Sequence, residues 1–167
     1  KIFCFPGNAG TGLIAENINL DTSDFKKIHK TCDEKNIELI IVGPEKPLVE
    51  GIVEYFKKTK IKIFGPDKVS AQLEGSKTFT KKLCKKYKIP TSNFEIFNEE
   101  KLALNYIKSL NYPVVVKADG LASGKGVYIC KNQSDAKFAV QEIFNGRFGK
   151  ADCVLIEEFL DGEEMSY

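Results

Sequence analysis

Two lysines bracket a glycine-rich loop in the second half of the chain, a pattern that suits an anionic ligand. Lys117 ends an apolar strand, and Lys125 lies within the loop 119–126. Backbone N–H groups in such a loop can converge on phosphate oxygens, and lysine adds a compact positive charge. The spacing fits neither a Walker A loop, because Gly126 follows Lys125, nor a dinucleotide fingerprint, because Ile129 replaces the last glycine. We predict a hairpin-like flap over phosphate, with an ordinary hairpin turn as the alternative.

A second candidate phosphate contact lies at the start of a predicted helix. Ser76 is a suitable helix cap, and it places Lys77 in the first turn. A cation there opposes the helix dipole, so the pattern favours an anion bound at this helix terminus. The lysines that follow predict a solvated helix face, with a phosphate-binding patch as the alternative: Lys81, Lys82, Lys85 and Lys86.

An apolar strand near the end of the chain leads directly into carboxylates. Glu157 and Glu158 are followed by a Phe-Leu step, a glycine turn and two further acids, Glu163 and Glu164. This order can present backbone donors and acceptors to a purine and an acid to ribose hydroxyl groups. A strand that ends in a solvated acidic turn explains the same residues equally well.

The first half of the chain carries glycine and polar residues where predicted strands end. The loop 6–12 follows one strand, and Gly43-Pro44-Glu45 and Gly65-Pro66 follow two others. Ligands gather at the carboxyl ends of the strands in an open parallel sheet, where Glu45 can hold an amine. Simple surface turns are the alternative.

The elements that must position these residues alternate between strand and helix. Short β-branched runs predict strands over 2–5, 38–42 and 62–64 with amphipathic helices between them, the rhythm of a mostly parallel sheet. Beyond a helical stretch over 67–88, the pattern predicts strands over 93–97, 113–118, 127–130 and 153–158 and a helix over 134–144. We therefore predict an α/β chain with one unit over 1–66 and a second, α+β unit over 67–167.

Composition excludes several classes of function. The formal net charge is only +2, with 25 Lys+Arg against 23 Asp+Glu, which argues against a nucleic-acid partner. No apolar run approaches the roughly 20 residues of a membrane-spanning helix, so we expect no membrane partner. Five scattered cysteines and the single His29 argue against a zinc site and predict reduced thiols in a cytoplasmic protein.

Taken in order along the chain, these motifs resemble those of the phosphoribosylamine–glycine ligase (glycinamide ribonucleotide synthetase) family of ATP-grasp enzymes. The segments that carry the resemblance are 6–11, 41–49, 64–66, 71–77, 116–127 and 156–164. The resemblance implies a partial Rossmann-like, substrate-binding N-terminal domain over 1–66. It implies the first part of an ATP-grasp α+β domain over 67–167.

That family ligates glycine to 5-phosphoribosylamine in de novo purine synthesis, with ATP converted to ADP and phosphate. The resemblance implies catalytic, phosphate-directed lysines at Lys77, Lys117 and Lys125. The other implied ATP contacts are Asp119, Gly120, Ser123, Gly124, Gly126, Glu157, Glu158, Phe159, Leu160 and Glu164. The implied substrate contacts are Gly7, Asn8, Ala9, Gly10 and Glu45.

The same resemblance implies Mg²⁺ (or Mn²⁺) with ligands beyond residue 167 and no metal ligand within this chain. We therefore expect the chain to be an incomplete piece of the enzyme that is inactive alone. Two alternatives stay open: a nucleotide-binding module without catalysis, and a sister ATP-grasp enzyme of purine synthesis. The sequence leaves the oligomeric state open.

Overall fold

The chain folds into two compact units in a computed structural model that describes residues 1–121, 125–149 and 152–165. The first unit is Lys1–Gly75 and the second is Ser76–Tyr167. This division comes later in the chain than the predicted one at 66/67, because the segment that ends at Gly75 packs within the first unit. A Cβ on Gly75 would lie 2.6 Å from Val49 Cγ2, so only glycine fits there without a shift.

The first unit contains two pairs of parallel strands. Its strands are β1 (Phe3–Cys4), β2 (Glu16–Asn17), β3 (Leu39–Ile41) and β4 (Lys62–Phe64). Its helices are α1 (Phe25–Glu34), α2 (Glu45–Glu50), α3 (Ile52–Phe56) and α4 (Gln72–Gly75), with a 3-10 turn over Thr11–Leu13. β1 pairs with β2 and β3 pairs with β4, both in parallel. The predicted parallel strands are confirmed, although β2 and the 3-10 turn are not in the prediction.

The core of the first unit forms where α1 and α3 bury their apolar faces. Ile28 and Cys32 lie one helical turn apart on α1 and are both buried, as is Phe56 on α3. Asp24 begins α1, and its carboxylate accepts a hydrogen bond of 3.0 Å from the backbone N–H of Lys27.

The second unit is an antiparallel four-stranded sheet with helices. Its strands are β5 (Phe94–Phe97), β6 (Val114–Ala118), β7 (Val127–Cys130) and β8 (Val154–Glu158), in the order β5-β8-β6-β7. Its helices are α5 (Lys77–Tyr87), α6 (Glu100–Tyr106) and α7 (Gln133–Phe144), with a 3-10 turn over Ile107–Ser109. The predicted strands of this unit are confirmed to within a residue or two.

The two faces of this sheet differ in the residues that they carry. Alternate residues of β6 and β8, such as Val116 and Ile156, join the buried core with α7 residues including Ile143. Since successive side chains of a strand point to opposite faces, Lys117 and Glu157 project from the other face. That face of the sheet carries these two charged groups beside the buried Leu155.

The cysteines are unpaired thiols, as predicted. Cys32, Cys130 and Cys153 are buried, whereas Cys4 and Cys84 are half-buried. Burial raises the pKa of the Cys130 thiol to about 11, which keeps it protonated at neutral pH. Within the described part of the chain, none of the helices has both the length and the apolar character to cross a membrane.

Replacing Ile143 by alanine is expected to destabilise the protein by about 2–5 kcal/mol, because Ile143 is buried between α7 and the sheet and its loss leaves a cavity. Lys137→Ala on the exposed side of the same helix is the matched control. Urea unfolding of the intact protein measures both. Equal midpoints for the two variants would contradict this placement of the core.

Candidate functional site

A buried carboxylate on β8 gathers side chains from three other segments. Glu157 Oε2 accepts hydrogen bonds from Ser92 Oγ at 2.6 Å, Lys81 Nζ at 2.9 Å and Lys117 Nζ at 3.0 Å. These three donors lie before β5, on α5 and on β6. We call Glu157 with these three donors the Glu157 cluster. It brings the predicted residues Lys117 and Glu157 together on the charged face of the sheet.

The electrostatics of the Glu157 cluster follow from burial and pairing. The Glu157 side chain is only 5% exposed. Burial alone raises its pKa, but the hydrogen bonds from Ser92, Lys81 and Lys117 outweigh this effect and hold the pKa below its usual range. Glu157 Oε1 is also buried and has no hydrogen-bond partner within the described residues. The cluster thus contains one carboxylate oxygen that no described residue uses as an acceptor.

Sequence analysis missed the role of Lys81. The prediction of a solvated face is wrong for this residue, since its side chain is 12% exposed and pairs with Glu157. The prediction holds for Lys82, Lys85 and Lys86, which are exposed. Lys81 follows Lys77 by four residues, so both lie on the same helix face, but the exposed Lys85 shares this spacing and the pattern alone does not distinguish Lys81.

A second carboxylate ties the glycine-rich loop to the start of α5. Asp119 accepts hydrogen bonds from Ser76 Oγ at 3.0 Å and from the backbone N–H of Thr78 at 3.1 Å. Ser76 in turn caps α5 by accepting from the N–H of Phe79 at 3.1 Å, which confirms the predicted cap. The anion at this helix terminus is therefore the chain's own Asp119.

Lys77 and Lys117, two of the lysines predicted to contact phosphate, both contact acceptor oxygens of the chain itself. Lys77 Nζ donates to the carbonyl oxygen of Gly120 at 2.9 Å, at the start of the loop. Lys117 pairs with Glu157, while Lys125 is exposed. Lys77 thus contacts the first part of the loop, and Lys117 belongs to the strand that leads into it.

The glycine-rich loop is only partly described. Gly120 has φ +87°, a left-handed conformation that favours glycine. At the other end, the Gly126 carbonyl oxygen accepts from the backbone N–H of Ala118 at 2.8 Å, which closes the hairpin. Ser123 and Gly124, which we predicted to contact ATP, lie outside the described residues.

The end of β8 borders a pocket of about 420 Å³. Its lining includes Ser92, Glu157, Glu158 and Phe159. Glu158 accepts hydrogen bonds from both the backbone N–H and the side-chain amide of Asn93, at 2.8 and 2.9 Å, and these bonds hold its pKa below the usual range. The other predicted residues of this region, Leu160 and Glu164, lie in the exposed segment after β8.

In the first unit, the predicted substrate loop is organised by Asn8. Its side-chain oxygen accepts from the N–H of Thr11 at 3.0 Å, and Asn17 Nδ2 donates to its carbonyl oxygen at 2.7 Å. Gly7 has φ +79°, and a Cβ there would lie 2.2 Å from Asn17 Oδ1. Ala9 and Gly10 are exposed in this loop.

Glu45 belongs to a different part of the first unit. It is exposed in the first turn of α2, four residues after the end of β3. A carboxylate in the first turn of a helix is also stabilised by the helix dipole, so this position has a structural explanation beside the functional one. Throughout the described residues, no group of three or more His, Cys, Asp or Glu side chains could hold a metal ion.

Comparison with known proteins covers the whole chain. Residues 1–74 match the family model described as phosphoribosylglycinamide synthetase, N domain, and residues 75–167 match phosphoribosylglycinamide synthetase, ATP-grasp (A) domain. The phosphoribosylamine–glycine ligase of Haemophilus influenzae is 49% identical, and that of Caldanaerobacter subterraneus is 47% identical. Each alignment covers at least 99% of this chain and 40% of the relative.

Solved structures agree with these matches. The phosphoribosylamine–glycine ligase of Thermotoga maritima is similar with a TM-score of 0.75 and 32% identity, over 98% of this chain and 39% of that one. N5-carboxyaminoimidazole ribonucleotide synthetase of the same organism is similar in fold, with a TM-score of 0.66 and 22% identity, over 94% of this chain and 38% of that one. The chain therefore spans about two-fifths of the length of these relatives.

Asp119→Ala is expected to destabilise the protein at pH 7 by about 1–3 kcal/mol, because it removes the acceptor for Ser76 and Thr78 at the start of α5. Although partial burial raises the pKa of Asp119, its hydrogen bonds hold that pKa below the usual range. The carboxylate therefore contributes fully above the ordinary aspartate pKa of about 3.9, and its contribution is lost as pH falls through the lowered pKa of the folded state.

Urea unfolding between pH 7 and pH 3 measures this difference. The gap between wild type and Asp119→Ala should be widest at neutral pH and narrow with acid. Asp161→Ala, at an exposed position after β8, serves as the control and should follow the wild type at every pH. A gap that is independent of pH would show that the charge on Asp119 does not matter.

Proposed function

Since the chain belongs to the phosphoribosylglycinamide synthetase family, we propose that the protein carrying it ligates glycine to 5-phosphoribosylamine at the expense of ATP. The products are glycinamide ribonucleotide, ADP and phosphate, as in de novo purine synthesis. The reaction is assigned to the intact protein, because the chain spans about two-fifths of its relatives. The unpaired cysteines are consistent with a reducing compartment, so we place the protein in the cytoplasm.

One observation carries the proposal: two lysines flank the start of a glycine-rich hairpin loop. Lys77 reaches the loop at Gly120, and Lys117 leads into it from β6. We assign both ammonium groups, with Lys125, to the nucleotide phosphates, together with Asp119, Gly120, Ser123, Gly124 and Gly126 of the loop. ATP supplies the phosphoryl group, and the lysines orient it and offset its negative charge.

The pocket at the end of β8 suits the nucleoside part of ATP. We assign its adenine to the segment 157–160 and its ribose to Glu164. The buried Glu157 Oε1 supports this assignment, because it is an acceptor without a partner in the described residues and adenine offers an exocyclic amine. Phe159 borders the same pocket and can contribute apolar contact with the base.

The remaining substrates are assigned to the first unit. We propose that Gly7, Asn8, Ala9 and Gly10 face phosphoribosylamine, since the Asn8 hydrogen bonds hold this loop in one conformation. The Glu45 carboxylate suits an amine. ATP-grasp enzymes use a divalent metal with ATP, and we assign its ligands to positions beyond residue 167, as the family resemblance implies.

The direct test is an assay of the intact protein with ATP, glycine and phosphoribosylamine. We expect one ADP for each glycinamide ribonucleotide formed, with no release when either substrate is left out. Binding of ATP without substrate-dependent ADP release would instead identify a nucleotide-binding module. ADP release that depends on another purine-pathway ribonucleotide, rather than on glycine, would identify a sister ATP-grasp enzyme.

Lys117→Ala is expected to weaken ATP binding about 10- to 150-fold, because a hydrogen bond between charged groups contributes about 1.5–3 kcal/mol. The fold should persist, since Glu157 keeps its contacts with Ser92 and Lys81. Lys131→Ala, at an exposed position just after β7, is the control and should bind ATP as the wild type does. Calorimetric titration measures the dissociation constants, and an unchanged value for Lys117→Ala would refute its assignment.

A further inference from the structure

Lys81 is a buried cation that the proposed chemistry does not use. Its side chain is 12% exposed, and its ammonium group lies 2.9 Å from Glu157 Oε2. The same nitrogen donates to Thr91 Oγ1 at 2.7 Å and to Ser92 Oγ at 2.5 Å. These neighbours all belong to the second unit, so the chain's own residues hold the ammonium group in place.

Lys81 and Lys117 contact the same carboxylate oxygen. Lys117 Nζ lies 3.0 Å from Glu157 Oε2, and its side chain is more exposed than that of Lys81, at 25% against 12%. Lys117 has no second hydrogen-bond acceptor among the described residues, whereas Lys81 also has Thr91 and Ser92. Lys81 is therefore the fixed cation of the pair and Lys117 the one that is able to leave.

A buried carboxylate cannot give up all of its positive partners. If Lys117 moved to a phosphate and Glu157 had no other cation, a charged group would remain buried and unpaired, which is strongly unfavourable. With Lys81 in place, Glu157 keeps a charged partner and the hydrogen bond from Ser92. The energetic obstacle to releasing Lys117 is then much smaller.

We propose that Lys81 is a positioning residue that neutralises Glu157, so that Lys117 can exchange this carboxylate for the phosphates of ATP. The inference rests on the proposed function, in which Lys117 contacts those phosphates. Lys81 itself touches no ligand; it acts through Glu157. If the charge of Lys81 is removed, Lys117 is the only described cation that pairs with Glu157. The buried carboxylate then retains Lys117 and disfavours its move to phosphate.

The test compares four single variants of the intact protein by calorimetric titration with ATP. Lys81→Met and Lys81→Gln remove the charge, and both should weaken ATP binding about tenfold or more. Lys81→Arg keeps the charge and should stay within about twofold of the wild type. Lys86→Met, on an exposed part of α5, is the matched control and should leave binding unchanged.

The second part of the test asks whether Lys81 acts through Glu157. In the Glu157→Gln background there is no carboxylate to neutralise, so adding Lys81→Met should change ATP affinity by no more than about twofold. A role in packing alone predicts the same loss in both backgrounds. If Lys81→Met does not fold, Lys81→Gln takes its place, since its amide can still hydrogen-bond to Ser92.

Three results would overturn the proposal: wild-type affinity in Lys81→Gln, an equal loss in Lys81→Arg, or an equal loss in both Glu157 backgrounds. Failure of the proposed function can be distinguished from failure of the Lys81 assignment, because only the former changes the ATP binding or ligation activity expected of the wild-type protein. A wild-type protein that binds no ATP overturns both proposals. A wild type that ligates glycine, with Lys81→Gln binding ATP normally, overturns only the assignment of Lys81.

Discussion

The carboxylate of Glu157 has been removed from water, and the geometry around it follows from the need to compensate that charge. An ionised group in a protein interior is tolerated only with charged partners and hydrogen bonds. Glu157 obtains them from α5, from β6 and from the turn before β5. The same contacts therefore tie three segments to β8 and place the ammonium groups of Lys81 and Lys117 at one carboxylate oxygen.

Helix α5 depends on these polar contacts more than other helices of its unit do. None of its residues is buried, whereas α7 inserts Ala136, Ala139, Val140 and Ile143 into the core. Its first turn is fixed by Asp119, and its second by the pair between Lys81 and Glu157. A helix attached through charged groups can carry ligand-binding lysines without being part of the hydrophobic core.

Local sequence patterns predicted the features that are determined by residues close together in the chain, such as strands and helix caps. Strands such as 127–130 and the Ser76 cap were found because β-branched runs and capping side chains act within a few positions. Helix α6 starts after Glu99 without a side-chain cap, although the preceding Asn98 has the better capping residue type. Fold class and family were within reach of the sequence, whereas the assignments of single site residues to ligands stay predictions.

Contacts between distant segments were out of reach. Lys81 has the same type and spacing as its exposed neighbours, and nothing near it in the sequence distinguishes it from Lys82. In the structure its ammonium group lies 5.5 Å from the centroid of the Phe94 ring, and the antiparallel pairing of β5 with β8 places Phe94 opposite Glu157. Likewise, the anion at the start of α5 comes from Asp119, a residue that helical periodicity cannot connect with Ser76.

The cations of the candidate site are all primary amines. Arg147, the single arginine of the chain, pairs with Glu142 on α7, away from the Glu157 cluster. A guanidinium group stays charged under nearly all conditions, whereas acylation turns a lysine into a neutral amide. Acylation of Lys117 would erase one of the two charges that balance Glu157. Because all the cations of this site are lysines, acyl donors in the surrounding solution can remove the positive charges that compensate Glu157.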